Sequence, residues 1–140
     1  MGNLNETPSA NRLHIGIYGK TNSGKSSLIN AVTKQEVSIV ADVAGTTTDP
    51  VYKPMEIHPL GPCVIIDTAG FDDDSELGER RVEKTHLAAE KTDIAVVVLD
   101  IADVIAAKKA GVPFKKAFKD EAEWSLLFAK KHTPVVFALN

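Results

Sequence analysis

Cysteine occurs once in these 140 residues, at Cys63. That excludes an internal disulfide framework and any cysteine-only metal site within the chain. Cys63 lies in the apolar run Cys63-Val64-Ile65-Ile66 and reads as a small buried hydrophobe. Positive charge is not in surplus either. Sixteen Lys and Arg stand against 19 Asp and Glu, for a net charge of -3. The chain therefore carries no global basic field for nucleic acid or anionic lipid, and no direct nucleic-acid contact is expected. No apolar run approaches the roughly 20 residues that span a bilayer. The N-terminus lacks the apolar core of a signal peptide. After Met1-Gly2, Glu6 stands where N-myristoylation needs Ser or Thr. A cytoplasmic location without a membrane partner is the expectation. Repeats and low-complexity segments are absent as well.

What remains is ordinary globular material: 44% apolar and 25% charged residues, in a length that suits one domain. Residues 1–11 are polar, hold Pro8 and read as a flexible tail. Strands are predicted at Leu13–Tyr18, Val51–His58, Cys63–Ile66, Ile94–Leu99 and Val135–Leu139. The turn Pro59-Leu60-Gly61-Pro62 is too short for a crossover, so the strands it joins should be antiparallel. Ile94–Leu99 is continuously apolar, as a strand buried on both faces would be. Helices are predicted at Ser26–Val32, with Leu28, Ile29 and Val32 on one face, and at Glu79–Glu90 and Asp120–Lys131. On the last, Trp124 should pack the helix onto the sheet. Residues 102–118 stay ambiguous, because Gly111-Val112-Pro113 interrupts whatever helix begins there. Strands alternating with helices imply an α/β fold with a mostly parallel sheet covered on both faces. His14, His58, His86 and His132 show no ligand spacing.

Gly19-Lys20-Thr21-Asn22-Ser23-Gly24-Lys25-Ser26 fits the pattern G-x-x-x-x-G-K-S/T. Glycines let several N–H groups turn into one cavity, and the helix that follows adds its positive end. Lys25 supplies a full charge to β- and γ-phosphates, and the Ser26 hydroxyl is placed for magnesium. Ser23, Gly24 and Ser27 complete the candidate phosphate contacts. A chance match in a chain this long is roughly a one-in-two-hundred event, and the strand before and helix after argue against an ordinary glycine turn.

Asp67-Thr68-Ala69-Gly70 closes the third element of this pattern. An Asp at the carboxyl end of a parallel strand sits where sheet ligands bind, so Asp67 is the candidate magnesium carboxylate. Gly70 can bring its N–H to a γ-phosphate because no side chain intervenes. Between the two motifs lies Ala44-Gly45-Thr46-Thr47-Thr48-Asp49-Pro50, a loop able to offer a threonine hydroxyl to the metal and a backbone group to the phosphate. Phe71 follows Gly70, where a water-orienting glutamine often stands; it cannot play that part. Asp72, Asp73, Asp74, Glu76 and Glu79 are the acids downstream.

These motifs resemble the branch of P-loop GTPases that includes the tRNA-modifying MnmE family and the ribosome-assembly families Era and Der. The string Thr46-Thr47-Thr48-Asp49-Pro50-Val51-Tyr52-Lys53, with Met55-Glu56, Leu60-Gly61-Pro62 and Phe71-Asp72-Asp73, is most similar to the HydF family, which helps mature the FeFe-hydrogenase. Thr48 stands where the RNA-linked families usually carry an arginine. The resemblance implies a P-loop NTPase three-layer sandwich binding GTP or GDP with Mg2+. It implies that Ser26, Thr47 and Asp67 serve the magnesium, and that Thr46 also lies at the nucleotide. It implies a potassium ion at Asn22, completed by carbonyls around Ala41 to Gly45. It implies a glutamate assisting water, with Glu76 and Glu79 as the candidates. The catalytic set expected is thus Lys25, Thr47, Gly70, Glu76 and Glu79.

The base-reading motif of this branch is N-K-x-D, of which the chain holds Asn140 and then stops. The expectation is a GTP-binding domain over residues 12–140 that lacks its last strand and helix. A homodimer through the switch face or the truncated edge is expected, and other hydrogenase maturation proteins as partners of a longer chain. The cysteines of an iron–sulfur domain are not here. Three functions fit: a HydF-like GTP-hydrolysing switch, a nucleotide-gated interaction module with little turnover, or a tRNA-modification or ribosome-assembly GTPase.

Overall fold

The computed structural model describes residues 12–20, 23–33, 51–68 and 78–140. Its elements are β1 (Leu13–Tyr18), α1 (Lys25–Thr33), β2 (Val51–Ile57), β3 (Gly61–Asp67), α2 (Gly78–Lys91), β4 (Ile94–Leu99), α3 (Ile101–Ala110), α4 (Phe114–Ala117), α5 (Lys119–Lys130) and β5 (Val135–Leu139). The sheet runs β2-β3-β1-β4-β5, parallel throughout except for the antiparallel β2–β3 pair. The short Pro59-Leu60 turn enforces that exception, as the sequence predicts. Gly61 and Pro62 belong to β3 rather than to the turn.

Alternation along the central strands sorts the core into two layers. On β4, Ala95, Val97 and Leu99 join Tyr18, Ala89, Phe118 and Phe128 on the α5 face. Val98 and the half-buried Val96 join Ile15, Ile17, Ile29, Cys63 and Ile65 on the α1 face. Tyr18 is the keystone of the first layer. Its ring meets Phe128 edge-on at 5.0 Å and Trp124 at 6.1 Å, and its hydroxyl lies 2.9 Å from Thr92 Oγ1. Gly16 makes this possible, since a Cβ there would come within 2.6 Å of the Tyr18 ring. Trp124 packs α5 onto the sheet, as expected.

Two sequence readings are refined. Val32 is 41% exposed, while Ile29 is buried and Leu28 half-buried. The buried stripe of α1 centres on Ile29, with Val32 on its rim. The ambiguous span 102–118 resolves into α3, a break, and the single turn α4. Asp100 caps α3 by accepting from the Ala102 N–H at 2.9 Å. Gly111, at φ 69°, ends it by donating to the carbonyls of Ala107 and Lys108. None of the α3 residues is fully buried; Val104 and Ala107 pack, partly buried, against the core, and Ile101 and Ile105 are exposed, so the apolar residues do not mark one face.

Candidate functional site

At β1 the chain leaves one side of the sheet for the other: β3 lies on one flank and β4 on the other. In open α/β sheets the crevice outside the carboxyl ends of such strands is where ligands bind. Gly19, Lys20, Ser23 and Gly24, between β1 and α1, lie at that crevice. Gly19 has no room for a side chain: a Cβ would come 2.6 Å from Ser23 Oγ and 2.9 Å from the Val98 carbonyl. The Ser23 N–H donates to the Lys20 carbonyl at 3.1 Å, closing a tight turn. Gly24 takes φ 103°, a conformation that costs any L side chain strain. Its carbonyl then accepts from the Leu28 N–H at 2.9 Å, starting α1. Lys25 is 6% exposed, whereas Ser26 and Ser27 face solvent on the first helical turn. A helix start beside a lysine makes an anion site.

Asp67 ends β3 at 3% exposure. Next to it the Thr68 hydroxyl donates to the Ile17 carbonyl at 2.6 Å, which ties the end of β3 to the end of β1. Lys53 Nζ lies 3.7 Å from Asp67 Oδ2. Asn140 bridges the other flank. Its N–H donates to the Leu99 carbonyl and its carbonyl accepts from the Ile101 N–H, both at 2.9 Å. Its side-chain amide donates to the Ser23 carbonyl at 3.3 Å. The sequence-predicted residues Ser23, Gly24, Lys25, Ser26, Ser27, Asp67 and Asn140 therefore gather at one end of the sheet. Asn22, Thr46, Thr47, Gly70 and Glu76 lie outside the described residues, as do Ala41 to Gly45 and Phe71; of Glu79 only the backbone, in α2, is described.

Sequence reasoning missed two lysine–carboxylate pairs, Lys53–Asp67 and Lys20–Glu121. Lys20 Nζ reaches Glu121 Oε1 of α5 at 3.8 Å, and Glu121 is 2% exposed. Burial pushes the Glu121 carboxyl above its ordinary value, with Lys20 opposing the shift. Both residues line a cavity of about 510 Å³ between the phosphate loop and the α3–α5 segment, with Ser23, Asp100, Asp103 and Phe118.

These donors bear on whether a magnesium ion can sit here. Among the described residues, no three His, Cys, Asp or Glu cluster as a protein-only metal cage. Magnesium at a nucleotide does not need one, because one carboxylate, a hydroxyl, phosphate oxygens and water suffice. The buried Asp67 carboxylate already draws a cation, the Lys53 ammonium, to its side. The donor set fits. Among the described residues, no helix is long and apolar enough to cross a membrane.

The sequence profile of the family described as "50S ribosome-binding GTPase" matches residues 14–140. The chain is 46% identical over 100 residues to GTPase Der of Wolinella succinogenes, covering 69% of this chain and 21% of that protein. It is 39% identical over 92 residues to the tRNA modification GTPase MnmE of Ruthia magnifica, covering 65% and 20%. The chain thus spans about a fifth of the length of these curated relatives. Among solved structures it resembles Era of Aquifex aeolicus bound to GDP·AlF4−, with TM-score 0.61 and 26% identity over 91% of this chain and 40% of that one.

Proposed function

We propose that this chain, which belongs to the family of 50S ribosome-binding GTPases, is a switch domain that binds GTP with magnesium at the β1–α1 loop and hydrolyses it. It is a P-loop GTPase domain of the Der, MnmE and Era type. The observation that carries the reading is the convergence of the positive-φ Gly24, the buried Lys25 and Asp67, and Asn140 at the carboxyl ends of the strands.

In this reading Lys25 places its ammonium on the β- and γ-phosphates, and the loop N–H groups hold the β-phosphate. Ser26, Thr47 and Asp67 would hold the magnesium. Magnesium, when bound, draws off the negative charge that grows on the β–γ bridging oxygen as it leaves. Thr47 and the Gly70 N–H meet the γ-phosphate, and Thr46 flanks them. Glu76 or Glu79 orients the attacking water, since Phe71 cannot. Asn22 holds a potassium ion whose charge takes the part of an arginine finger. Asn140 braces the loop and begins the reading of the base.

The finer assignment we propose is a HydF-like hydrogenase maturation factor, supported by Thr48 and by the string Thr46 to Lys53. The second reading, a tRNA-modification GTPase, draws on the name of the MnmE relatives. We propose that the domain pairs with a second copy through its switch face or the β5 edge. Val136, Phe137 and Leu139 lie exposed on that edge. Light scattering that finds a monomer at every concentration sinks the pairing.

The deciding experiment is GTP turnover with magnesium, in potassium and in sodium, for the parent, Asn22→Ala and Lys25→Ala. Potassium stimulation lost in Asn22→Ala supports the hydrolytic, potassium-assisted reading. Binding without turnover, lost in Lys25→Ala, leaves a nucleotide-gated module. No binding in either salt ends both.

A further inference from the structure

β2 and β3 pair with Val51 opposite Asp67 and Lys53 opposite Ile65. Alternation then puts Val51, Lys53, Ile65 and Asp67 on one face of the sheet. Met55 and Ile57, on the same face, pack into the α1-side core. A lysine in that series is forced inward. Diagonal neighbours on adjacent strands are far for short side chains but within reach of a long one, and Lys53 spans the gap to Asp67 at 3.7 Å.

The pair is enclosed. The Lys53 side chain is 16% exposed and that of Asp67 3%. Lys53 Nζ is buried and makes no hydrogen bond, so its charge is compensated through Asp67 at ion-pair distance rather than by donors and acceptors in contact. A buried ammonium without hydrogen bonds is a poor resting state.

We propose that Lys53 is a placeholder cation at the magnesium carboxylate: it neutralises Asp67 while the metal is absent and competes with Mg2+ for it, so that β2 sets the metal affinity of the nucleotide site. This rests on the reading of Asp67 given above. Two cations that share one carboxylate repel each other, so metal binding must work against the ammonium that guards the site. Loss of metal is correspondingly eased, because the carboxylate is never left bare in a buried place.

The test is magnesium titration of the release rate of a fluorescent GDP analogue from this chain, with thermal melts of the nucleotide-free chain in EDTA. Lys53→Met keeps the stem and removes the charge. It is expected to lower the half-saturating magnesium concentration by about tenfold, a shift of one unit in log affinity. Lys53→Arg keeps the charge and is expected to stay within about twofold of the parent. In EDTA, Lys53→Met should melt lower, and Mg2+ with GDP should restore more of its stability than they add to the parent. Should Lys53→Met not fold without ligand, Lys53→Gln carries the same titration. A half-saturating concentration that is unchanged or higher in the uncharged variants overturns the proposal. Asp67→Asn separates the two readings. If it abolishes the magnesium dependence while Lys53→Met does nothing, only the placeholder fails. If it leaves the dependence intact, the metal role of Asp67 fails and the placeholder with it.

Discussion

The two flanks of the phosphate loop solve one problem in two ways. Each seats a buried carboxylate beside a lysine at nearly the same distance, 3.7 Å for Lys53–Asp67 and 3.8 Å for Lys20–Glu121. On the β2–β3 flank the lysine is trapped by strand register and is 16% exposed. On the α5 flank it hangs from a loop and is 50% exposed. A trapped lysine is held beside its partner by the strands that enclose it. A half-exposed one screens its partner only in part, and Glu121 answers its burial by holding its proton more tightly. Distance alone therefore says little about what a pair contributes. The enclosure of the cation decides it.

The sharpest break of this contrast is Asp67→Ala. It strands the Lys53 ammonium in the sheet, and removing one partner of a buried pair typically costs about 3–5 kcal/mol. Urea unfolding of the nucleotide-free chain should show a loss of that order. A change below about 1 kcal/mol would mean that Lys53 swings out to water, and that the two flanks are alike after all.

Gly24→Ala comes next, and it probes the loop between the flanks. At φ 103° a side chain is strained, and its Cβ would overlap the Asn140 amide that reaches Ser23. The expected loss is about 1–3 kcal/mol. It should show as a lower unfolding midpoint together with weaker nucleotide binding. A variant as stable as the parent would show that the loop relaxes freely and that neither flank holds it.

Glu121→Gln follows, with a direction fixed by linkage. Burial raises the folded-state pKa of Glu121 above its ordinary 4.5. The native state then binds the proton more tightly than the unfolded chain does. Its contribution is full below the unfolded value and is lost as pH rises through the folded value. Gln cannot ionise, so the variant should gain stability relative to the parent between pH 4.5 and neutrality. Paired urea melts at the two ends of that range test it. A difference that is flat with pH, or of opposite sign, would mean that Lys20 compensates Glu121 as fully as Lys53 does Asp67.

Much of this arrangement is legible in the sequence. The five strands announced themselves through alternation or continuous apolar runs, and the β2–β3 turn was too short for anything but an antiparallel pair. Ser23, Gly24, Lys25 and Asp67 are readable because each sits in a motif whose spacing is local, and Asn140 because it follows the last strand. The span 102–118 is not readable, because Ile101 and Ile105 lie exposed while only Val104 and Ala107 of α3 pack, partly buried, against the core. Nor is the pairing of Lys20 with Glu121, residues far apart in the chain. Lys53 did leave a signal. In the series Val51, Lys53, Met55, Ile57 it is the one charge on an otherwise apolar face, and such an inward lysine asks for a buried carboxylate. Only the register with β3 names which one.

The smallest effect belongs to Lys20→Met, and its smallness is the argument. The ammonium is half exposed, so water and salt screen it and the Coulomb gain is offset by the entropy of holding a long side chain. Its removal should cost less than about 1 kcal/mol at low ionic strength and still less at high salt. The same substitution at Lys53 removes a cation that solvent cannot replace, and its effect should be nearly insensitive to salt. Urea melts of Lys20→Met and Lys53→Met at low and high salt set the two flanks side by side. If Lys20→Met proves the more costly, or if the Lys53 effect is the one that fades with salt, enclosure is not what separates the pairs. The distinction would then have to be sought in their different places around the nucleotide.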